Sequence, residues 1–250
     1  MAEFPATWWR ERPLVFAHRG ASHAAPENTL AAFQEALRLG ADGIELDVHL
    51  SADGVPVVIH NAAVNATTDG RGLVNALSLA QLKALDAGSH FGVAFAGECI
   101  PTLAEVFEDV GRQLLINVEL KAQSNATIEL ETAVAALVTR MGMANRLWFS
   151  SFRPLTLSRI RRLLPAVPCG LLYDVLGVAT AFLTPLTPHE ALHPHVALVN
   201  RRFVQRIHNR KQRIVTWTVD DIALARRMAA IGVDVLITNE PAEVLRALSA

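Results

Sequence analysis

The sequence predicts an α/β fold, a (β/α)8 TIM barrel, on three observations. Short apolar runs alternate with helical patterns along the 250-residue chain, and such alternation builds a parallel sheet with helices outside. With one hairpin run left out, eight strand candidates remain, and eight βα units in about 250 residues is the size of this barrel. The competing architecture, an open doubly wound sheet, carries a Gly-rich nucleotide loop after its first strand. Here the first strand ends in His18-Arg19-Gly20 instead.

The elements follow in order. Leu14-Val15-Phe16-Ala17-His18 is β-like, and Asn28 to Leu39 has helical periodicity. Gly43 to Leu50 is the next strand. Asp53-Gly54 then turns tightly into Val55-Pro56-Val57-Val58-Ile59, a hairpin pattern. Between His60 and Pro101 no clean βα unit appears. Residues 61–101 are read as a small insertion on the face where strands end, the face that carries function in such barrels. The plain alternative is a long loop, although a structureless loop of this length is unusual. Leu114 to Leu120 is the next strand, followed by an Ala-rich helix from about Ala126 to Met141. Leu147 to Ser151, Gly170 to Tyr173, Val196 to Val199, Ile214 to Thr218 and Val233 to Thr238 complete the strands. Asp221 to Ile231 and Pro241 to Leu248 are the clearest of the helices between and after them.

Composition sets the class. Hydrophobic residues make up 51% and charged residues 19%, below the usual charged share of about 25%, and this excludes disorder. With 23 basic and 24 acidic residues the net charge is -1. No footprint for nucleic acid or an anionic membrane shows at that scale. Length fits one large domain or two small ones; with no linker in the chain, one barrel over residues 1–250 is expected. The N-terminus lacks a basic region followed by an apolar one, so it is not read as a secretory signal. The most apolar stretch, Leu163 to Pro188, is punctuated by prolines and suits two short buried elements better than a membrane span. Cys99 and Cys169 form no metal motif; a disulfide is open, with two core thiols the expected state. The expectation is a soluble cytoplasmic protein, monomer or homodimer, with no stable membrane association.

Polar residues at strand ends point to chemistry. His18 and Arg19 end the first strand, Glu45 and Asp47 lie in the second, His60 follows the hairpin, and Glu119 and Lys121 end the strand after the insertion. Residues two apart on a strand share a face, so Glu45 pairs with Asp47 and Glu119 with Lys121. Buried charge is costly unless paired or metal-bound. Three carboxylates at one mouth call for a cation, and oxygen ligands favour Mg²⁺ or Ca²⁺. The competing reading is a structural ion network with Arg19 and Lys121. His18 and His60 are the natural acid–base pair, and Arg19 offers a planar fork for an anionic oxygen. His23, His49, His90, His189, His193, His195 and His208 are read as ordinary core or surface residues. Metal-assisted phosphodiester cleavage uses this set together.

An ordered series of motifs then carries a resemblance. His18-Arg19-Gly20, Pro26-Glu27-Asn28-Thr29, Glu45-Leu46-Asp47-Val48, Asp53 through His60, and Thr67-Thr68-Asp69-Gly70 come first. Ile100-Pro101-Thr102-Leu103 with Glu105, Val118-Glu119-Leu120-Lys121, Ser150-Ser151-Phe152 and Thr216-Trp217-Thr218-Val219 follow. From about residue 14 to residue 248 the chain resembles the glycerophosphodiester phosphodiesterases. The resemblance implies a (β/α)8 barrel with an insertion after His60. It implies one divalent cation, Mg²⁺ or Ca²⁺, held by Glu45, Asp47 and Glu119, and His18 and His60 as catalytic acid and base. It places Arg19 and Lys121 at the phosphate. Trp217 matches an aromatic at the substrate mouth or is a core residue of its strand.

The implied reaction splits a small-molecule glycerophosphodiester into sn-glycerol 3-phosphate and an alcohol through a cyclic phosphate. Three positions depart from the family: its Asp after the second histidine is Asn61, its Arg before the Thr-Thr pair is Ala66, and its Asp after the last strand's Thr is Asn239. Two other readings stand beside it. One is a phospholipase-type barrel acting on lysolipids, with Phe91, Val93, Ala94 and Phe95 as an apolar mouth. The other is a catalytically silent barrel that binds phosphodiesters.

Overall fold

In the computed structural model, residues 2–122, 126–174 and 187–249 are described. Nine strands share one sheet: β1 (Leu14–His18), β2 (Gly43–Leu50), β3 (Pro56–Val58), β4 (Leu115–Leu120), β5 (Leu147–Ser151), β6 (Cys169–Tyr173), β7 (Ala191–Pro194), β8 (Arg213–Thr216) and β9 (Val235–Thr238). All but β3 run parallel, and the pairing of β1 with both β9 and β2 closes an eight-stranded barrel. The helices among the described residues are α1 (Leu30–Arg38), α2 (Leu79–Lys83), α3 (Leu103–Asp109), α4 (Glu129–Met141), α5 (Pro154–Leu163), α6 (Arg201–His208), α7 (Ile222–Ala230) and α8 (Pro241–Ser249). None is long and apolar enough to cross a membrane.

Alternation along the strands divides the core in two. On β1, Val15 and Ala17 face the helices, while Leu14 and Phe16 face the barrel interior. The interior layer adds Leu115, Trp148, Ala191, Val215 and Val235. Trp148 is its largest member, with its ring centroid 4.8 Å from Phe16 and 5.5 Å from Phe4. Phe4 and Trp8, from the segment before β1, plug the end where the strands begin. Gly43 makes room for Phe16, since a Cβ there would lie 2.4 Å from that ring. The other end stays polar, and the site lies there.

Residues 61–101 contain 3-10 turns at Val64–Ala66, Val74–Ala76 and Val93–Phe95, together with α2. Val64, Val74, Leu82, Ala87 and Ile100 bury against Val57 and Ile59 in a small cluster of their own. A capping box of Ser78 and Gln81 starts α2. Asp86 accepts from the backbone N–H groups of Gly88, Ser89 and Gly97, tying the loop together.

Several expectations need correction. Val196 to Val199 is not a strand: Val196–Leu198 is a 3-10 turn, and the sixth barrel strand is β7, Ala191–Pro194. The apolar run misled because the true strand carries a histidine and a proline. His193 fits inside the barrel only because its ring lies against Gly170 of β6, where a Cβ would sit 2.1 Å from His193 Nε2. The helix expected from Ala126 begins at Glu129, and the strand expected to Thr218 ends at Thr216. Of the two buried elements expected within Leu163 to Pro188, β6 is one; the other falls on residues 175–186, outside the described residues. Both cysteines are free, but only Cys169 is a core thiol; Cys99 is half-buried.

Candidate active site

Register brings the charged residues to one level. His18 on β1 stands beside Glu45 on β2, and Asp47 stands beside Glu119 on β4. Glu45 and Asp47 share the inward face because they are two apart. β2 outruns β1, and β3 takes the edge that β1 leaves. That return delivers His60 to the same level: Ile59 N–H donates to the Asp47 carbonyl at 3.0 Å. His49 Nε2 lies 3.1 Å from the His60 carbonyl and fixes it from behind.

The eight residues expected in the site all line one cleft of about 150 Å³: His18, Arg19, Glu45, Asp47, His60, Glu119, Lys121 and Trp217. Asn117, Phe152, Leu172 and Ile237 complete it. A larger and more open groove of about 1030 Å³ runs beside the β2–β3 turn and α4, but of the charged cluster it reaches only Lys121. The expected site residues therefore converge on the smaller cleft. Trp217 is half-buried on the wall, its indole N–H donating to the His193 carbonyl at 2.9 Å and its ring edge-on to Phe152.

Pro26-Glu27-Asn28-Thr29 is a support whose separate roles appear only in three dimensions. Arg19 Nη1 donates to both oxygens of Glu27, at 2.9 and 3.0 Å. Asn28 Nδ2 donates to Asp47 Oδ2 at 2.9 Å. Thr29 caps α1 by accepting from Ala32 N–H. Arg19 adopts a φ of 58°, in a region where a non-glycine residue is strained, as functional turns often are. Gly20 follows at φ 85°, and a Cβ there would meet Ala32 at 2.6 Å. The turn thus needs glycine on two counts. Sequence reasoning also missed His49, Asn117 and the neighbours of Asn239. His49 and Asn239 carried a signal only as polar residues on or beside barrel strands.

The carboxylates sit in a strongly shaped field. Oxygen atoms of Glu45, Asp47 and Glu119 all lie within 4.8 Å of one another, and the three residues are buried. Burial and the repulsion of Asp47 and Glu119 push the Glu45 carboxyl well above the usual range. Burial likewise pushes Glu119 up to about 7, against the pull of Lys121. For Asp47, burial is outweighed by Lys121, His60 and Arg19, which hold it well below the ordinary range. Lys121 Nζ reaches Asp47 Oδ1 at 3.0 Å and Glu119 Oε1 at 2.6 Å. Burial lowers both His18 and His60, with Arg19 adding at His18 and Lys121 and Arg19 at His60.

An ion network with Arg19 and Lys121 balances this cluster only if Glu45 and Glu119 keep their protons. Four acids (Glu27, Glu45, Asp47, Glu119) face two bases (Arg19, Lys121), so two negative charges are left over when all are ionised. Three hard oxygen donors with that excess charge fit a divalent cation such as Mg²⁺ or Ca²⁺. Glu45, Asp47 and Glu119 could hold it.

The barrel and this cleft define a class: a (β/α)8 barrel with two imidazoles and an arginine beside an acidic cluster. Residues 18–243 match the family model described as the glycerophosphoryl diester phosphodiesterase family. A glycerophosphodiester phosphodiesterase of Caldanaerobacter subterraneus subsp. tengcongensis is 39% identical over 231 residues, covering 92% of this chain and 95% of its own. One from Bacillus altitudinis is 35% identical over 232 residues, covering 91% and 94%. A solved phosphodiesterase of Oleispira antarctica, in complex with the product sn-glycerol-3-phosphate, superposes with a TM-score of 0.88 at 32% identity, covering 96% and 98%. The chain belongs to the glycerophosphoryl diester phosphodiesterase family. It is a glycerophosphodiester phosphodiesterase.

Proposed function

We propose that the protein hydrolyses small, soluble glycerophosphodiesters to sn-glycerol 3-phosphate and an alcohol, with His18 and His60 as acid–base pair. The observation that carries this is the convergence of both imidazoles, Arg19, Lys121 and three buried carboxylates on one small cleft. The glycerol 2-hydroxyl of such a substrate lies close to phosphorus, so attack from it begins with high effective molarity. His18 takes the proton of that hydroxyl, the oxygen bonds to phosphorus, and His60 protonates the departing alcohol. The cyclic phosphate opens when His60 takes a proton from water and His18 returns one to the 2-oxygen. Arg19 and Lys121 bind the non-bridging oxygens and offset the charge that builds there. Glu45, Asp47 and Glu119 would hold a divalent cation, which would supply Lewis-acid stabilisation of that charge when bound. Trp217 and Phe152 wall the mouth.

The chain acts as one catalytic barrel, with residues 61–101 as part of its upper face. The free thiols of Cys99 and Cys169 suit a reducing compartment such as the cytoplasm. The exposed Phe91 and Val93 favour a second reading, a lysolipid substrate. The size of the cleft argues for the small ligand, because no acyl chain is needed to fill it.

The test is hydrolysis of glycerophosphocholine and other glycerophosphodiesters, read as release of glycerol 3-phosphate, and of a lysophospholipid, read as release of lysophosphatidate, each with Mg²⁺, Ca²⁺ or EDTA. Turnover of the soluble diesters that EDTA abolishes is expected. Turnover confined to the lysolipid, or indifference to EDTA, overturns the proposal.

A further inference from the structure

His18 is held from the side facing away from the cleft. Its Nδ1 lies 2.8 Å from Asn239 Oδ1, and the Ser22 hydroxyl donates to the same oxygen at 2.9 Å. Asn239 is itself gripped by Asp220, which precedes α7. Asp220 Oδ1 accepts from the Asn239 backbone N–H at 2.7 Å and from the Thr238 hydroxyl at 3.0 Å, and Oδ2 accepts from Asn239 Nδ2 at 2.7 Å. A carboxylate is an acceptor only. If the Asn239 amide turned over, its oxygen would face the Asp220 oxygen, acceptor against acceptor. The network therefore fixes which end of the amide meets His18.

We propose that Asp220 is a positioning residue for His18 and acts through the side-chain amide of Asn239. Asn239 Oδ1 accepts and cannot donate, so His18 Nδ1 carries the hydrogen. The lone pair of the neutral ring is then on Nε2, the nitrogen on the Glu45 side of the ring, 4.0 Å from Glu45 Oε2. This tautomer suits a group that takes the 2-hydroxyl proton first. The inference rests on the acid–base reading of His18 and names what sets that ring. A carboxylate at position 239 would accept from His18 through either oxygen and would need no second residue to orient it. An amide there does need one, and Asp220 supplies it.

The experiment joins kinetics to the ring's tautomer. Asp220 is exposed and outside the barrel wall, so Asp220→Ala is expected to fold; Asp220→Ser serves if it does not. The variant should lose about 10–100-fold in kcat, the usual effect of removing an orienting partner, with KM little changed. Long-range ¹H–¹⁵N spectra of histidine-labelled protein, with the His18 signal identified from His18→Ala, should show one tautomer, protonated on Nδ1, in the wild type and a mixture in the variant. Adding Asn239→Asp to Asp220→Ala should restore both the tautomer and most of kcat, because either carboxylate oxygen accepts from Nδ1–H. An unaltered tautomer in the Asp220 variant, or no rescue by Asn239→Asp, overturns the proposal. Failure of the acid–base reading shows separately, as activity retained in His18→Ala, and leaves the tautomer comparison decisive for Asp220.

Discussion

His60 shows how much one neighbour can set. Its Nδ1 lies 3.0 Å from Asn61 Oδ1, so the ring is oriented by a neutral amide at a position where the family resemblance implies an Asp. A carboxylate would stabilise the imidazolium. Asn61→Asp should therefore raise the pH at which His60 loses its proton and move the alkaline limb of the kcat profile upward. An unchanged profile with unchanged turnover would mean that residue 61 does not tune His60. His18→Ala and His60→Ala should each reduce turnover by about 10²–10⁴-fold, the usual worth of a positioned acid or base. Thermal unfolding should show both variants folded. Ala66, by contrast, ends an exposed turn and lines no part of the cleft.

At the scale of elements, the contact between β6 and β7 is the tightest constraint on the barrel interior. Gly170→Ala would push a methyl into His193, and such overpacking costs about 1–3 kcal/mol. Urea denaturation should show that loss, and it should shrink when His193 is also reduced to Ala. His193 is buried, no protein group among those described pairs its ring nitrogens, and burial depresses it to about 3. Between pH 6.5 and about 3 the unfolded chain takes up a proton that the folded chain refuses. Stability thus falls as pH falls, by up to about 1.4 kcal/mol per unit. His193→Leu should flatten that slope relative to the wild type. Equal slopes in the two proteins would contradict this account of the buried ring.

For the whole molecule, a divalent cation held by the acidic cluster would couple its binding to folding. Glu45 and Glu119 are raised, so they hold protons over a range where the unfolded chain has lost them. Without a cation, these two groups make stability fall as pH rises from about 4.5 toward 7. A divalent cation reverses this by stabilising the ionised forms, and it must displace those protons to bind. Mg²⁺ should therefore raise the melting temperature over the EDTA-treated protein by more at pH 7.5 than at pH 5. A constant gap, or none, would count against Glu45 and Glu119 as ligands.

Legibility in the sequence followed the range of the interactions. The alternation that builds the barrel is local, and Leu14–His18, Gly43–Leu50 and Leu147–Ser151 could be read directly. Seven of the eight cleft residues could be read as well, because charged and titratable groups interrupting apolar strands stand out; Trp217 came only through the resemblance to the family. β7 could not, because His193 is tolerated only through Gly170, a residue on another strand. Asn239 looked like a departure from the family pattern, and its work is done on a histidine 221 residues away. Asp220 carried no local signal.

The sequence by itself determined the strand–helix alternation, the inward-facing acids and the two histidines, since each depends on periodicity and residue chemistry along the chain. Only the tertiary structure decided which group backs each histidine, that Glu27 holds Arg19 and Asn28 holds Asp47, and which short run completes the barrel. Those outcomes depend on distances between segments remote in sequence, and barrel closure is what brings them within hydrogen-bonding range.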